Sequence, residues 1–73
     1  MTMASCSHET AVRVLSITGD ETDSLRLREV GVFEGADVRV VTGGNPVVLS
    51  IWGNRFAINA DLARRIQVQP EAP

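Results

Sequence analysis

Side chains that could bind a metal are concentrated near the start of the chain. Cys6, His8 and Glu9 place a thiol, an imidazole and a carboxylate within four residues, and transition metals accept all three as ligands. The sequence contains one cysteine and one histidine, fewer than a closed structural zinc site needs. We therefore treat Cys6 and His8 as weak candidates for transition-metal binding and expect no resident cofactor beyond such a contact.

The same scarcity argues against nucleophilic catalysis. Ser16 and Ser50 could supply a hydroxyl, but a serine nucleophile needs an adjacent general base. The single histidine, His8, lies near the N-terminus and outside the periodic segments. A chain of 73 residues also leaves little room for a deep catalytic cleft. The sequence therefore predicts that the protein is not an enzyme.

The charge distribution does not favour nucleic-acid binding. The net charge is −2, and all seven basic residues are arginines scattered along the chain. Proteins that bind nucleic acids usually present a basic stripe, and those that bind single strands add stacking aromatic residues. The aromatic residues of this chain are limited to Phe33, Trp52 and Phe56. We predict no nucleic-acid partner.

The sequence shows no signal for secretion or membrane insertion. A single cysteine cannot form an internal disulfide, and the first ten residues, MTMASCSHET, lack the basic start and apolar run of a signal peptide. The longest apolar run is interrupted by Ser50, far short of the ~20 residues that span a bilayer. We therefore expect a cytoplasmic protein with no direct membrane insertion.

Alternation and helix-capping residues predict the elements of the first half. The segment AVRVLSITG, residues 11–19, has the period of a strand and ends at Gly19. The polar segment DETDS then supplies residues that cap a helix and suit the positive end of its dipole. A short helix is therefore predicted over residues 24–30.

Two glycines connect this helix to the next strand. Gly31 suits the left-handed position that ends a helix, and Gly35, four residues later, suits a turn. Residues 36–42 then alternate with the period of two expected of a half-buried strand. The spacing predicts that Gly31 and Gly35 are structural glycines in a short link that ends a helix and starts a strand.

The second half of the sequence indicates a hairpin, a helical turn and a closing strand. The segments VVLSIW and RFAIN flank a reversal in which Gly53 and Asn54 tolerate positive φ. NADLARRI contains one helical turn, and IQVQ a last strand. So many short strands cannot bury their apolar faces in an open sheet of this size. We predict a mainly β fold, a small barrel with one short helix after the first strand and one helical turn before the last.

These periodic segments lie between residues 11 and 70. Residues 1–10 and 71–73 carry no comparable pattern, so we expect a flexible tail at each end. Deletion of Met1–Ser7 is accordingly expected to leave folding intact.

The sequence resembles the FeoA domain, a family associated with bacterial ferrous iron transport. The stretch from Leu25 to Val68 is similar to the family pattern of a leucine-rich helix, a glycine-containing link, an alternating strand, a glycine-centred hairpin and an apolar closure. The matching positions are Gly31, Val32, Gly35, Val38, Val40, Gly53, Ile58, Leu62, Ala63 and Ile66. The resemblance implies an SH3-like barrel over residues 11–70. It also implies a cytoplasmic accessory protein that regulates FeoB, the membrane-embedded GTP-binding iron permease.

A second role follows from the same resemblance. The SH3-like fold also occurs as the C-terminal domain of iron-dependent repressors related to the diphtheria-toxin repressor. A metal- or ligand-responsive regulatory domain is therefore the alternative function. No helix-turn-helix segment precedes the barrel in this sequence, so that role would require a separate DNA-binding partner.

A small barrel without a cleft must recognise its partner through loops and strand edges. Trp and Arg are enriched among interface anchors, and Trp52 and Arg55 flank the predicted reversal. We predict that these side chains are presented to the permease or to a neighbouring subunit in a weak homo-oligomer. The alternative is that Trp52 covers the mouth of the barrel. The contact surface would then comprise Val32, Phe33 and Glu34.

Overall fold

The computed structural model describes residues 1–71 and shows a mainly β fold. The elements in chain order are a 3₁₀ turn (Met3–Ser5), β1 (Thr10–Ile17), α1 (Glu21–Val30), β2 (Asp37–Thr42), β3 (Val47–Ile51), β4 (Asn54–Ile58), α2 (Ala60–Ala63) and β5 (Ile66–Pro70). The strands form one antiparallel sheet in the order β4-β3-β2-β1-β5. Neither helix in residues 1–71 is long and apolar enough to cross a membrane. The predicted fold class is confirmed, with one helix after the first strand and one helical turn before the last.

One face of the sheet encloses a core of mostly branched apolar side chains. In β2, Val38 and Val40 are buried while their neighbours Asp37 and Arg39 are exposed, as a half-buried strand requires. Phe56 and Ile58 of β4 are partly buried against the same core, so every strand contributes to it. The buried set is Met3, Cys6, Val12, Val14, Leu27, Val32, Ala36, Val38, Val40, Val47, Leu49, Ile51, Ala63, Ile66 and Val68.

Helix α1 begins at a polar cap and ends at a glycine. The Asp20 carboxylate accepts a hydrogen bond from the backbone N–H of Thr22 at 2.8 Å, which satisfies a free donor of the first turn. The helix consequently begins earlier than the predicted Ser24. Gly31 follows the last helical residue with φ of 101°, the left-handed conformation expected at that position.

The link between α1 and β2 is hydrogen-bonded to β1. Gly35 has φ of 88°, and its N–H donates to the carbonyl of Val14 at 2.8 Å. The N–H of Val14 in turn donates to the carbonyl of Ala36 at 2.9 Å. A side chain at Gly35 would be strained because positive φ is costly for L-residues.

The first residues pack onto the sheet, which differs from the expected flexible tail. Met3 is 0% exposed. The backbone N–H of Val68 in β5 donates to the carbonyl of Met1 at 2.8 Å, and Thr2 forms an antiparallel β-bridge with Gln67. This pairing covers an edge of β5 whose backbone groups would otherwise face solvent. The folded domain therefore includes the N-terminal segment.

A close backbone approach anchors the end of that segment. An ideal Cβ on Gly43 would lie 2.5 Å from the carbonyl oxygen of Cys6, so this contact depends on the absence of a side chain. The N–H of Gly43 also donates to Nδ1 of His8 at 3.3 Å. The loop between β2 and β3 thereby contacts both predicted metal-binding residues.

The second predicted tail, residues 71–73, is described only at its first residue. The N–H of Glu71 donates to the carbonyl of Ala11 at 3.1 Å, which continues the pairing of β1 with β5 beyond Pro70. Glu71 is therefore attached to the sheet. Ala72 and Pro73 lie outside the described residues.

Candidate partner-binding site

The hairpin between β3 and β4 presents an aromatic side chain to solvent. Trp52 is 95% exposed. Because Ile51 pairs with Asn54, the turn consists of Trp52 and Gly53, which have φ of 52° and 82°. Two positive φ values are the requirement of a type I′ turn. The reversal thus lies one residue earlier than the predicted Gly53–Asn54 turn.

This backbone conformation is unfavourable for tryptophan. Positive φ is a genuine outlier for a bulky residue, whereas Asn, Asp and Gly are the residues preferred in such turns. Trp52 obtains no compensating burial, since its side chain does not cover the core. The structure therefore shows that the Trp52 side chain is exposed and does not cover the mouth of the barrel.

The second predicted surface, residues 32–34, divides between core and solvent. The N–H of Val32 donates to the carbonyl of Leu27 at 2.8 Å, a Schellman arrangement in which these two side chains commonly pack together. Both are buried in the core, so Val32 cannot contact a partner. Phe33 is 44% exposed, and Glu34 is also exposed. The burial of Val32 could have been predicted from the sequence, because the residue after a helix-ending glycine commonly packs against the last turn of that helix.

Trp52 and Phe33 line the same open cavity. It has a volume of about 440 Å³ and is lined by Gly31, Phe33, Gly35, Ala36, Asp37 and Trp52. We call this cavity, with these six residues, the Trp52 groove. Two aromatic side chains flank three residues that have small side chains or none. The hairpin tip and the link between α1 and β2, predicted as alternative surfaces, therefore form one surface.

The sheet register explains why these segments meet. In the β2–β3 pair, Arg39 lies opposite Ser50. Asp37 precedes Arg39 by two residues and Trp52 follows Ser50 by two, so both lie at the same end of the β2–β3 pair. Asp37 was not among the predicted site residues, because a single outward-facing acidic residue in a strand gives no local signal of a site. Its contribution follows from strand pairing.

Glu34 lies on the other side of Phe33. A second open cavity of about 450 Å³ is lined by Ile17, Ser24, Arg28, Val32, Phe33 and Glu34. Phe33 borders both cavities, and Glu34 borders only this second one. Of the three residues predicted as an alternative surface, Phe33 alone lines the Trp52 groove.

Arg55 is exposed but does not line the groove. It lies in β4, at an end of the strand order, opposite Ser50 of β3. Ser50 in turn pairs with Arg39 of β2, so these three residues form a cross-strand row that does not include Asp37 or Trp52. The structure therefore does not bring Arg55 together with Trp52 in the groove.

An ion-pair cluster adjoins the groove at Asp37. Nε of Arg13 donates to Oδ1 of Asp37 at 2.9 Å, and a terminal nitrogen of Arg13 lies 3.9 Å from Glu71. The hydrogen bond from Arg13 lowers the pKa of Asp37. The pKa of Glu71 is raised, chiefly by a hydrogen bond with the Asp37 carboxyl group. The Arg13 guanidinium therefore interacts with two carboxyl groups, those of Asp37 and Glu71.

The predicted metal-binding residues have other partners. Sγ of Cys6 lies 3.8 Å from the carbonyl oxygen of Thr2, and burial raises the pKa of its thiol, which disfavours the thiolate that binds metals. Nδ1 of His8 already accepts a hydrogen bond from Gly43. Within residues 1–71, no group of three His, Cys, Asp or Glu side chains is arranged to hold a metal ion.

Comparison with known proteins now identifies the fold family. The family model described as the FeoA domain matches residues 1–70, nearly the whole chain. The chain belongs to the FeoA family. No curated protein matches its sequence, but solved FeoA structures do match. The match includes residues 1–10, in agreement with the burial of Met3.

The solved structures give the same fold for this FeoA-family protein. An iron uptake regulatory protein (FeoA) is 27% identical, with 97% of this chain and 96% of that chain covered and a TM-score of 0.88. Stenotrophomonas maltophilia FeoA, solved in complex with zinc, is 30% identical, with 94% and 89% covered and a TM-score of 0.80. It is described as a prokaryotic SH3-domain protein. Chlorobium tepidum FeoA is 21% identical, with 99% and 71% covered and a TM-score of 0.90.

These matches confirm the resemblance recognised in the sequence. The protein has an SH3-like fold and belongs to a family associated with ferrous iron transport.

Proposed function

We propose that this FeoA-family protein is a non-enzymatic interaction module that acts in the cytoplasm on a FeoB-type permease and regulates ferrous iron uptake. The observation that carries the proposal is Trp52, which is 95% exposed in an unfavourable turn conformation. Strained residues of this kind cluster at functional sites, where another requirement outweighs their cost to stability. Binding of a partner protein is such a requirement, because tryptophan is enriched among the residues that anchor protein interfaces.

The surroundings of Trp52 support a protein partner. Phe33 supplies a second exposed aromatic side chain on the same groove, and the groove is open, as a docking surface for a protein segment must be. Stenotrophomonas maltophilia FeoA, which is 30% identical, is described as a suggested ferrous iron transport activating factor. A permease partner is consistent with that description.

Replacing Trp52 with Asn tests the proposal. Asn tolerates positive φ, so we expect the free energy of unfolding to stay the same or to rise by up to about 1 kcal/mol. Loss of the indole should weaken binding to the cytoplasmic region of the FeoB-type permease from the same organism at least about tenfold, as for an interface anchor. Calorimetric titration measures the binding, and urea denaturation measures the stability.

Arg55→Ser is the matched comparison. Arg55 is exposed near the same hairpin but lies outside the groove, so this variant should retain binding within about threefold. Equal losses of binding affinity for Trp52→Asn and Arg55→Ser would indicate that the permease contacts the outer face of β4. Undiminished binding by Trp52→Asn would show that the groove is not the docking surface for the permease.

The alternative function is a metal-responsive regulatory domain. It is supported by the zinc complex of Stenotrophomonas maltophilia FeoA. The residues of the present chain do not fit a closed site, because Cys6 is buried and Nδ1 of His8 is occupied. We expect an anaerobic titration with ferrous iron to show no stoichiometric binding. One equivalent of bound iron that is lost in a Cys6→Ala, His8→Ala double variant would favour the alternative.

A further inference from the structure

The Trp52 groove combines apolar surface with a single ionisable side chain. Of its six lining residues, Asp37 is the only one that carries a charge. Trp52 and Phe33 provide aromatic surface, and Gly31, Gly35 and Ala36 leave space between them. A segment that enters this groove therefore meets aromatic and small residues together with one acidic residue.

The charges next to the groove are unbalanced. Arg13 is the only cation that contacts Asp37 among residues 1–71, and it also approaches Glu71 at 3.9 Å. Two carboxylates and one guanidinium leave one excess negative charge when all three are ionised. The hydrogen bond between the two carboxyl groups contributes to the lowered pKa of Asp37 and is the largest cause of the raised pKa of Glu71, as expected of two acidic groups that lie close together. An added cation at this place would stabilise both carboxylates in their ionised form.

The aromatic side chain reinforces the preference for a cation. The face of a tryptophan ring attracts guanidinium and ammonium groups, and the Trp52 ring is left open by its 95% exposure. Asp37 lines the same groove, and its carboxylate can accept charge-assisted hydrogen bonds from such a group. An acidic side chain would be repelled by Asp37.

We infer that the Trp52 groove binds a segment of the partner protein in which a basic side chain, Arg or Lys, adjoins an apolar one. The apolar side chain contacts Phe33 and the small residues of the groove. The basic side chain lies against Trp52 and pairs with Asp37. This inference rests on the proposed function in so far as the groove is the docking surface, but it does not depend on which protein is the partner.

The test uses three acetylated and amidated pentapeptides, LRLRL, LQLQL and LELEL. Trp52 is the only tryptophan in the chain, so its fluorescence reports binding at the groove directly. At about 20 mM salt, where surface charges are weakly screened, we expect LRLRL to bind at least about fivefold more tightly than LQLQL. LELEL should bind more weakly than LQLQL.

Two variants locate the source of this preference. Asp37→Asn should reduce the advantage of LRLRL over LQLQL to less than about twofold. Asp61→Asn removes the same amount of charge from α2, where Asp61 is exposed and pairs with Arg64, and should preserve the advantage. Thermal unfolding of both variants verifies that each remains folded.

Several results would overturn the inference. These are equal affinities for LRLRL and LQLQL, an arginine preference that survives Asp37→Asn, or the absence of saturable binding by any of the three peptides. The permease titration with Trp52→Asn separates this failure from that of the proposed function. If permease binding depends on Trp52 but the arginine preference is absent, the proposed function stands and the inference falls. If the arginine preference is present but the permease does not bind, the inference stands and the proposed function falls.

Discussion

Replacing Met1–Ser7 with a single initiating methionine is expected to lower the free energy of unfolding by about 3–5 kcal/mol, enough to unfold much of a domain this small. The deletion removes Met3, which is 0% exposed, and opens a cavity in the core. It also removes the backbone partners of Val68 and Gln67 on β5. This expectation replaces the prediction, made from the sequence, that the segment is dispensable.

A point substitution isolates the contribution of the buried side chain. Met3→Ala should cost about 2–4 kcal/mol because a large side chain is lost from a closed core. Leu25→Ala is the control, since Leu25 is 52% exposed and its truncation should change stability by less than about 0.5 kcal/mol. Urea denaturation measures both variants. Equal stabilities of the deletion and the intact chain would show that the N-terminal segment is not part of the folded domain.

Gly31→Val is expected to cost about 3–5 kcal/mol, and Gly35→Val about 1–2 kcal/mol. Both glycines have positive φ, so both substitutions strain the backbone. At Gly31 an ideal Cβ would also lie 3.0 Å from Cγ2 of Ile51, whereas at Gly35 no atom lies within 4 Å. Gly31→Val therefore adds steric conflict with the core to the backbone strain.

Comparing the two variants by urea denaturation separates these effects. Gly35→Val measures the cost of the backbone conformation, and the difference between the variants measures the additional packing conflict at Ile51. Equal losses would mean that the Ile51 side chain yields without cost. Unchanged stability in both variants would contradict the positive φ values themselves.

Most secondary structure could be predicted because its signals are local. The alternation around Val38 and Val40 indicates a strand with one buried face, and a single strand is enough to display that period. Asp20 and Gly31 mark the ends of α1 through bonds formed within one helical turn. The order of the elements followed from these signals together.

The position of the hairpin turn could not be predicted in the same way. A turn at Gly53–Asn54 and the observed turn at Trp52–Gly53 both leave Phe56 and Ile58 on the inner face, because the two registers differ by two residues. Alternation therefore fits either register. The observed pairing of Ile58 with Val47 is a contact between strands, and it is this pairing that places Trp52 in the turn.

The sequence by itself determined the elements, their caps and the identity of the family, since each depends on residue types at short or characteristic spacings. Only the tertiary structure decided that Met3 belongs to the core, because a single apolar residue has no period and its burial depends on β5, more than sixty residues away. The same holds for the Trp52 groove. Its residues come from the link after α1, the first residue of β2 and the turn between β3 and β4, and only packing and strand register bring them together.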